Sequence, residues 1–402
     1  MKRLKTSLVL SVLLLTLTTA RTQTTKPVTI PLDVTSYGGI FLQARVNNSP
    51  PLWFYLDSGA TSAFVINQNK AKALKLELQP AVTRSGGAGP NTYEASFTSG
   101  VTISLGPKIF TGQTAAVFSL DLVEEQLGRS VDGIVGIDLF LDHVVEIDYA
   151  EKKLWIYDPD QFTYSGKGES IPLSLRGGHF FVGGRIDFPE RGELTGQYLV
   201  DTGGCMMSAI LTTSFAQQNR LSSISQKRIV DRSVSGLGGV TSLLVSRANH
   251  FKIGSADFPS PLIYISQDKA GALASSEYQG LLGTEILKRF KLMFDYSHRR
   301  LILERNSNFA EPLEYDMSGM SVRAYGYGFK TFKIYQVLED SPAAAANLHA
   351  GDIIERIDKL EATQLTLEQI LQMMKVANRE YEVGIKRDNK TLVVKLKTKR
   401  LI

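Results

Sequence analysis

The chain of 402 residues has one cysteine, Cys205, so no intrachain disulfide can form and the fold must be stable without one. It has only five histidines, scattered, and none stands at metal-site spacing from a second ligand. No Gly-x-Ser-x-Gly elbow occurs, and Cys205 has no evident histidine partner, so serine and cysteine nucleophiles fit poorly. Neither sign of charge dominates. A net charge of +5 is small for this length and does not indicate nucleic-acid binding. The apolar run Leu8 to Leu17 is too short to span a bilayer comfortably. It follows Lys2, Arg3 and Lys5 and precedes Thr18-Thr19-Ala20, the three parts of a secretory signal over residues 1–20. The expectation is an exported protein, periplasmic or extracellular, with no stable membrane span.

Long amphipathic helices are also absent until late in the chain. From Val28 onward, short apolar runs alternate with Gly, Pro, Asn and Ser clusters, the pattern of a β-rich fold with frequent turns. Short helices are expected at 68–76 and 138–142. What the sequence does contain is a repeat. The apolar run Phe54-Tyr55-Leu56 leads into Asp57-Ser58-Gly59-Ala60, and Tyr198-Leu199-Val200 leads into Asp201-Thr202-Gly203-Gly204. Around this pair, Ile30-Pro31-Leu32 returns as Ile171-Pro172-Leu173, and Ser85 to Gly89 returns as Ser235 to Gly239. Gly133-Ile134-Val135-Gly136 returns as Gly280-Leu281-Leu282-Gly283, and Asp148-Tyr149 as Asp295-Tyr296. Landmarks in one order at nearly constant offset mark a duplication, with halves at 28–160 and 165–305. The polar stretch 161–169 reads as the linker between them.

A single Asp-Ser-Gly is usually a surface turn. Two at matched positions in a duplicated chain point to two carboxylates meeting at one site. Carboxylates about 3 Å apart cannot both ionise easily, so one keeps a proton that the other lacks. The ionised member can take a proton from a water as it attacks a carbonyl, and the protonated member can donate to the carbonyl oxygen. No metal or cofactor is required. The apolar run places each Asp at the end of a buried strand. Gly59 and Gly203 let the backbone turn sharply, and the hydroxyls of Ser58 and Thr202 are placed to brace the opposite loop.

With these residues in view, the two halves resemble the lobes of an aspartic peptidase of the pepsin and retropepsin type. The resemblance rests on Asp57-Ser58-Gly59-Ala60 with Ile134-Val135-Gly136, and on Asp201-Thr202-Gly203-Gly204 with Leu281-Leu282-Gly283. It implies a mainly β, bilobal fold of two duplicated β-barrel lobes with the active site between them. It implies Asp57 and Asp201 as the catalytic pair, and a strand ending in Gly136 or Gly283 supporting each loop. Pepsin-like enzymes usually carry Ser or Thr three residues after each Asp, whereas this chain has Ala60 and Gly204. Losing a donor to the charged form raises the pair's proton affinity, so activity is expected at weakly acidic to neutral pH. The glycine-rich segments between loop and support strand, with Gly86 and Gly87 in one and Gly236 and Gly238 in the other, are the expected flaps over substrate. Two flaps are retropepsin-like.

Beyond the polar connection 306–316 the composition changes. Ser341 caps a short helix with Pro342 at its first position. Thr366 and Gln369 form a capping box before a helix with Leu367, Ile370, Leu371 and Met374 on one face. Strands are expected at 353–357, 381–386 and 392–396. The run Leu338 to Ala343, with Leu348 to Ile354, resembles a PDZ domain of bacterial peptidase type, an α+β unit at 319–402. Gly326-Tyr327-Gly328-Phe329 resembles its carboxylate-binding loop. The resemblance implies a peptide ligand at that loop, added as an extended strand.

The leading expectation is an exported, monomeric aspartic endopeptidase acting on polypeptides in extended conformation, with the PDZ domain recruiting or orienting protein substrates or regulating access. The alternative is a non-catalytic peptide-binding scaffold. A separation of the two carboxyls well beyond about 5 Å, which uncouples their charges, would favour it.

Overall fold

The structure is a computed structural model that describes residues 26–84, 87–224 and 227–402. The expected secretory signal lies outside these residues, as does Gly86 of the first flap. Among the described residues, no helix is long and apolar enough to cross a membrane.

Both halves of the repeat build the same strand pattern. In the first, the strand Leu52–Leu56 runs antiparallel to Ile40–Val46 and parallel to Gly133–Val135. That last strand also pairs antiparallel with Phe64–Asn67. Ile40–Val46 pairs in addition with the long strand Tyr93–Leu105, which closes the sheet on itself. In the second half, Gly192–Val200 runs antiparallel to His179–Phe188 and parallel to Gly280–Leu282. Gly280–Leu282 pairs antiparallel with Ala209–Leu211, and His179–Phe188 closes onto His250–Ile253. The ends of the strands that carry the aspartates, 54–56 and 198–200, are buried on both faces, so they read as continuous apolar runs rather than as alternation.

A six-stranded sheet joins the halves. Its order is Val28–Pro31, Lys153–Tyr157, Val144–Asp148, Phe290–Asp295, Arg300–Arg305 and Glu169–Pro172. The central pairing, Val145 with Phe294 through Asp148 with Lys291, crosses from one half to the other. One apolar cluster spans this sheet and both halves, including Ile147, Phe140, Phe180 and Phe294. Burial of that shared core fixes the two Asp-Ser/Thr-Gly loops relative to each other.

The C-terminal unit has its own core around Phe332, Ile354, Ile370, Tyr381 and Val383. Its sheet runs Met320–Tyr325, Thr331–Val337, Ile353–Ile357, Glu380–Arg387 and Lys390–Lys397, with Met320–Tyr325 at the edge. Both sequence-read caps form. The Ser341 side chain accepts from Ala344 N–H, and Thr366 and Gln369 exchange side-chain and backbone bonds at the start of Leu367–Met373. Such caps contribute about 1 kcal/mol each. Among the described residues, three α-helices were not expected from the sequence, Asp121–Leu127, Thr213–Gln218 and Thr284–Leu287. Asp121–Leu127 starts at Leu120 without a side-chain cap, and it packs on the edge strand Met320–Tyr325.

Candidate active site

Each aspartate sits at the end of its buried strand and is held by the same four backbone bonds. Asp57 N–H donates to Val135 O at 2.9 Å, and Asp201 N–H to Leu282 O at 3.0 Å. Gly59 N–H donates to the Asp57 carboxyl at 2.8 Å, and Gly203 N–H to the Asp201 carboxyl at 2.9 Å. Gly136 N–H reaches Ala63 O and Gly283 N–H reaches Ser208 O. Finally, Ile137 N–H reaches Ala60 O and Thr284 N–H reaches Gly204 O. A Cβ on Gly136 would collide with the carbonyl oxygens of Ser62 and Ala60, and one on Gly283 with those of Met207 and Gly204. These walls are backbone and cannot turn aside, which is why the support strands end in glycine.

The two loops grip each other through Ser58 and Thr202, both fully buried. Ser58 N–H donates to Thr202 Oγ1 at 2.9 Å, and Thr202 N–H donates to Ser58 Oγ at 3.1 Å. Each hydroxyl then donates to the strand opposite, Ser58 to Val200 O at 2.7 Å and Thr202 to Leu56 O at 3.0 Å. All four bonds cross between the halves, and each is worth about 1 kcal/mol net, more where breaking it strands a buried partner.

The grip brings the two carboxyls into hydrogen-bonding contact. A Cβ on Gly59 would lie 2.8 Å from Asp201 Oδ1, and Gly203 is packed as closely against the Asp57 carboxyl. Desolvation raises the pKa of Asp57, opposed by the N–H groups of Gly59 and Ala60 and by the bond to Asp201. Desolvation, the Asp57 charge and the bond to Asp57 together raise Asp201 well above the ordinary carboxylate range. The pair therefore holds a proton at pH values where isolated carboxylates have lost theirs.

Two further residues reach the pair without any local sequence signal. His179 opens the first strand of the second half, after the turn Gly177-Gly178, and its imidazole lies against the backbone of Gly59 and Gly177 within electrostatic range of Asp57. Burial lowers its pKa, opposed by Asp57. Tyr55, buried beside Asp57, sends its hydroxyl across to Gly203 O at 3.1 Å and to Cys205 Sγ. Cys205 is buried and its thiol pKa is pushed up to about 12, chiefly by desolvation. It is a packing residue, not a nucleophile.

The flap segments cross over. Gly238 N–H donates to Ala88 O at 2.8 Å and Asn91 N–H donates to Gly238 O at 2.9 Å. Gly87, with φ of +73°, faces the Leu237 side chain, and its carbonyl accepts from Ala272 N–H at 3.1 Å. Gly236 packs against Ala88. Ala88 joins the apolar cluster of the second half and Leu237 that of the first, so each flap ends against the opposite half.

Gly326, Tyr327, Gly328 and Phe329 lie elsewhere. They make the turn of the hairpin between Met320–Tyr325 and Thr331–Val337, with Tyr327 fully exposed. The groove between the edge strand and the helix Leu367–Met373 begins at the other end of that strand. There a cavity of about 130 Å³ is lined by Met320, Val322, Arg323 and Leu371 on one side and by Met206 and Val234 on the other. The sequence resemblance pointed to the later turn because its Gly-x-Gly-Phe spelling is the more conspicuous. The preceding Ser318-Gly319 is the loop next to the groove.

Two coupled carboxyls under a reciprocal grip, in a duplicated β fold, define an aspartic-peptidase-like centre. Comparison with known families agrees. Residues 42–139 match the aspartyl protease family model and residues 314–398 match the PDZ domain model. The order of the two matches is that of a protease-like region followed by a PDZ-like one. No curated protein matches it in sequence. Among solved structures it is similar to the aspartic proteinase from Irpex lacteus, at 15% identity, covering 72% of this chain and 100% of that one, with a TM-score of 0.45.

Proposed function

We propose that the protein is an exported aspartic endopeptidase that hydrolyses extended polypeptides with a water activated by Asp57 and Asp201. The observation that carries this reading is the hydrogen-bonded carboxyl pair held by the Ser58–Thr202 grip. Asp57, the member facing His179, is the base that takes a proton from the attacking water. Asp201 holds the shared proton and donates it to the carbonyl oxygen, giving a tetrahedral diol. Return of a proton to the amide nitrogen then breaks the C–N bond. The crossed flaps supply backbone N–H and C=O groups for a peptide in strand conformation once they part. Of the roles expected for the PDZ domain, its contacts with the second flap favour control of access over recruitment.

The proximity of the two carboxyls speaks against the scaffold reading, whose support in the sequence is the absence of outer hydroxyls at Ala60 and Gly204. The closed flaps also speak for it. Cleavage of a mixed peptide library between pH 3 and 8 separates the two. The peptidase reading expects cleavage by the native chain at weakly acidic to neutral pH, and a loss of about a thousandfold or more in Asp57→Asn and in Asp201→Asn. Undiminished cleavage in either purified variant defeats the mechanism.

A further inference from the structure

The second flap is a two-stranded hairpin, Ser235–Gly236 with Gly239–Val240. It stands on the strand Ile229–Asp231, which forms one edge of the sheet of the second half. That edge is fastened to the PDZ domain. The Gln336 side chain donates from Nε2 to Val230 O at 3.0 Å and accepts Arg232 N–H at 2.8 Å, as a neighbouring strand would. Tyr315 donates its hydroxyl to Asp231 at 2.8 Å. Arg323, on the PDZ edge strand, is 3% exposed and stacked on the Tyr335 ring at 3.6 Å. Its Nη2 donates to Ser233 O at 2.9 Å and to Ser235 Oγ at 2.5 Å, and its Nη1 is 3.8 Å from Glu125. Ser235 N–H in turn donates to Gln126 of the helix Asp121–Leu127 at 2.8 Å. The first residue of the flap is therefore held by its N–H from the first half and by its hydroxyl from the PDZ domain.

The groove of the same PDZ domain is already engaged. Its edge strand faces the helix Asp121–Leu127 and the flap base rather than solvent. The N–H groups of Ser318 and Gly319, which precede that strand, both donate to the carboxylate of Asp316, at 2.9 and 2.5 Å. Met320 N–H donates to Ser318 Oγ at 3.1 Å. An acid from this chain occupies the donors that would hold a carboxylate from another.

We infer that the PDZ domain is an intramolecular clasp on the second flap, which keeps the cleft shut through Arg323 and Gln336 and must release residues 230–235 before the flap can lift. The inference deepens the peptidase reading by assigning its regulation, and it rests on that reading only for its effect on cleavage. The clasp itself is read by hydrogen exchange at the flap tip, in amides that neither side chain touches.

In the full chain, Gln336→Ala and the double variant Arg323→Ala/Gln336→Ala should speed exchange across Gly236–Val240 by about tenfold or more. Protection at Tyr381–Ile385, in the PDZ core, reports whether that domain stays folded. Because Arg323→Ala empties a buried guanidinium site, Gln336→Ala decides alone where the double variant loosens Tyr381–Ile385. Cleavage of an unstructured peptide should rise severalfold in the same variants. Faster tip exchange with no cleavage in any form upholds the clasp and removes the peptidase reading. Unchanged tip exchange with Tyr381–Ile385 protected overturns the clasp, whatever the cleavage rate.

Discussion

The first flap stands on Val82–Arg84, three residues that are all exposed and that, among the described residues, pair as a strand only with Tyr93–Ala95. The second stands on Ile229–Asp231, which is bonded on its free edge by Gln336 and at its acid by Tyr315. The two Asp loops diverge less: the bonds made by the N–H groups of Asp57, Gly59, Gly136 and Ile137 each have a counterpart around Asp201, and only the second loop adds Cys205 N–H to Gly203 O among the described residues. The duplication has thus stayed symmetric where the halves share a proton and become asymmetric where they open. The contrast separates two demands. A coupled carboxyl pair tolerates little displacement in either member. A pair of lids can be controlled by restraining one.

Equivalence at the loops is tested most severely by the support glycines. Gly136→Ala and Gly283→Ala each drive a Cβ into fixed carbonyls. Each should cost about 3 kcal/mol or more, the upper end for overpacking, since backbone rather than side chains must move. Denaturant midpoints should fall by similar amounts for the two. A change that is mild on one side only would break the symmetry argument.

The grip comes next. Ser58→Ala removes the acceptor of Thr202 N–H and the donor to Val200 O, and Thr202→Val removes the matching pair. Each leaves a buried N–H and a buried C=O without partners and should cost about 2 kcal/mol. The double variant should cost less than the sum, because the two side chains share one network. Strict additivity in unfolding titrations would show that the halves are not braced through these residues.

The duplication, the aspartates, the support glycines and the bracing hydroxyls were legible because each repeats a local pattern at a fixed offset. So were the helix Leu367–Met373 and its capping box, which need only neighbours in sequence. The helix Asp121–Leu127, His179, Tyr55 and the PDZ contacts were not. Gln336 reaches Arg232 across 104 positions and Tyr55 reaches Gly203 across 148, and a single sequence carries no record of such pairs. His179 takes the place of Ile40 in the repeated Gly-Gly turn, Gly38-Gly39-Ile40 against Gly177-Gly178-His179. That mismatch was the one available signal, and it is visible only once the turns are aligned.

The carboxyl pair also couples stability to pH. Both have pKa values raised by folding, so the folded chain keeps a proton that the unfolded chain releases. Stability from the pair is full below the ordinary carboxylate value of about 4 and is lost as pH rises through the raised values. Asn at either position removes that loss. Asp201→Asn and Asp57→Asn should therefore each melt a few degrees higher than the native chain at pH 7 and at the same temperature near pH 3. Thermal melts across this range check both.

The smallest expected effect belongs to His179, the residue that distinguishes the surroundings of Asp57 from those of Asp201. Burial lowers its pKa, so the imidazole is neutral at pH 7 and gains its proton only as the solution becomes acidic. Once charged, it favours the ionised form of Asp57 and holds that carboxyl's proton affinity down. His179→Phe keeps the ring and removes the charge, so Asp57 should take up its proton at higher pH. The acidic limb of the kcat/KM profile should then move upward by at most about one pH unit, with the rate at pH 7 little changed. An equal loss of rate at every pH would mean that the imidazole only packs against Gly59. A shift of the limb ties it to the charge on Asp57, and with it the assignment of the base.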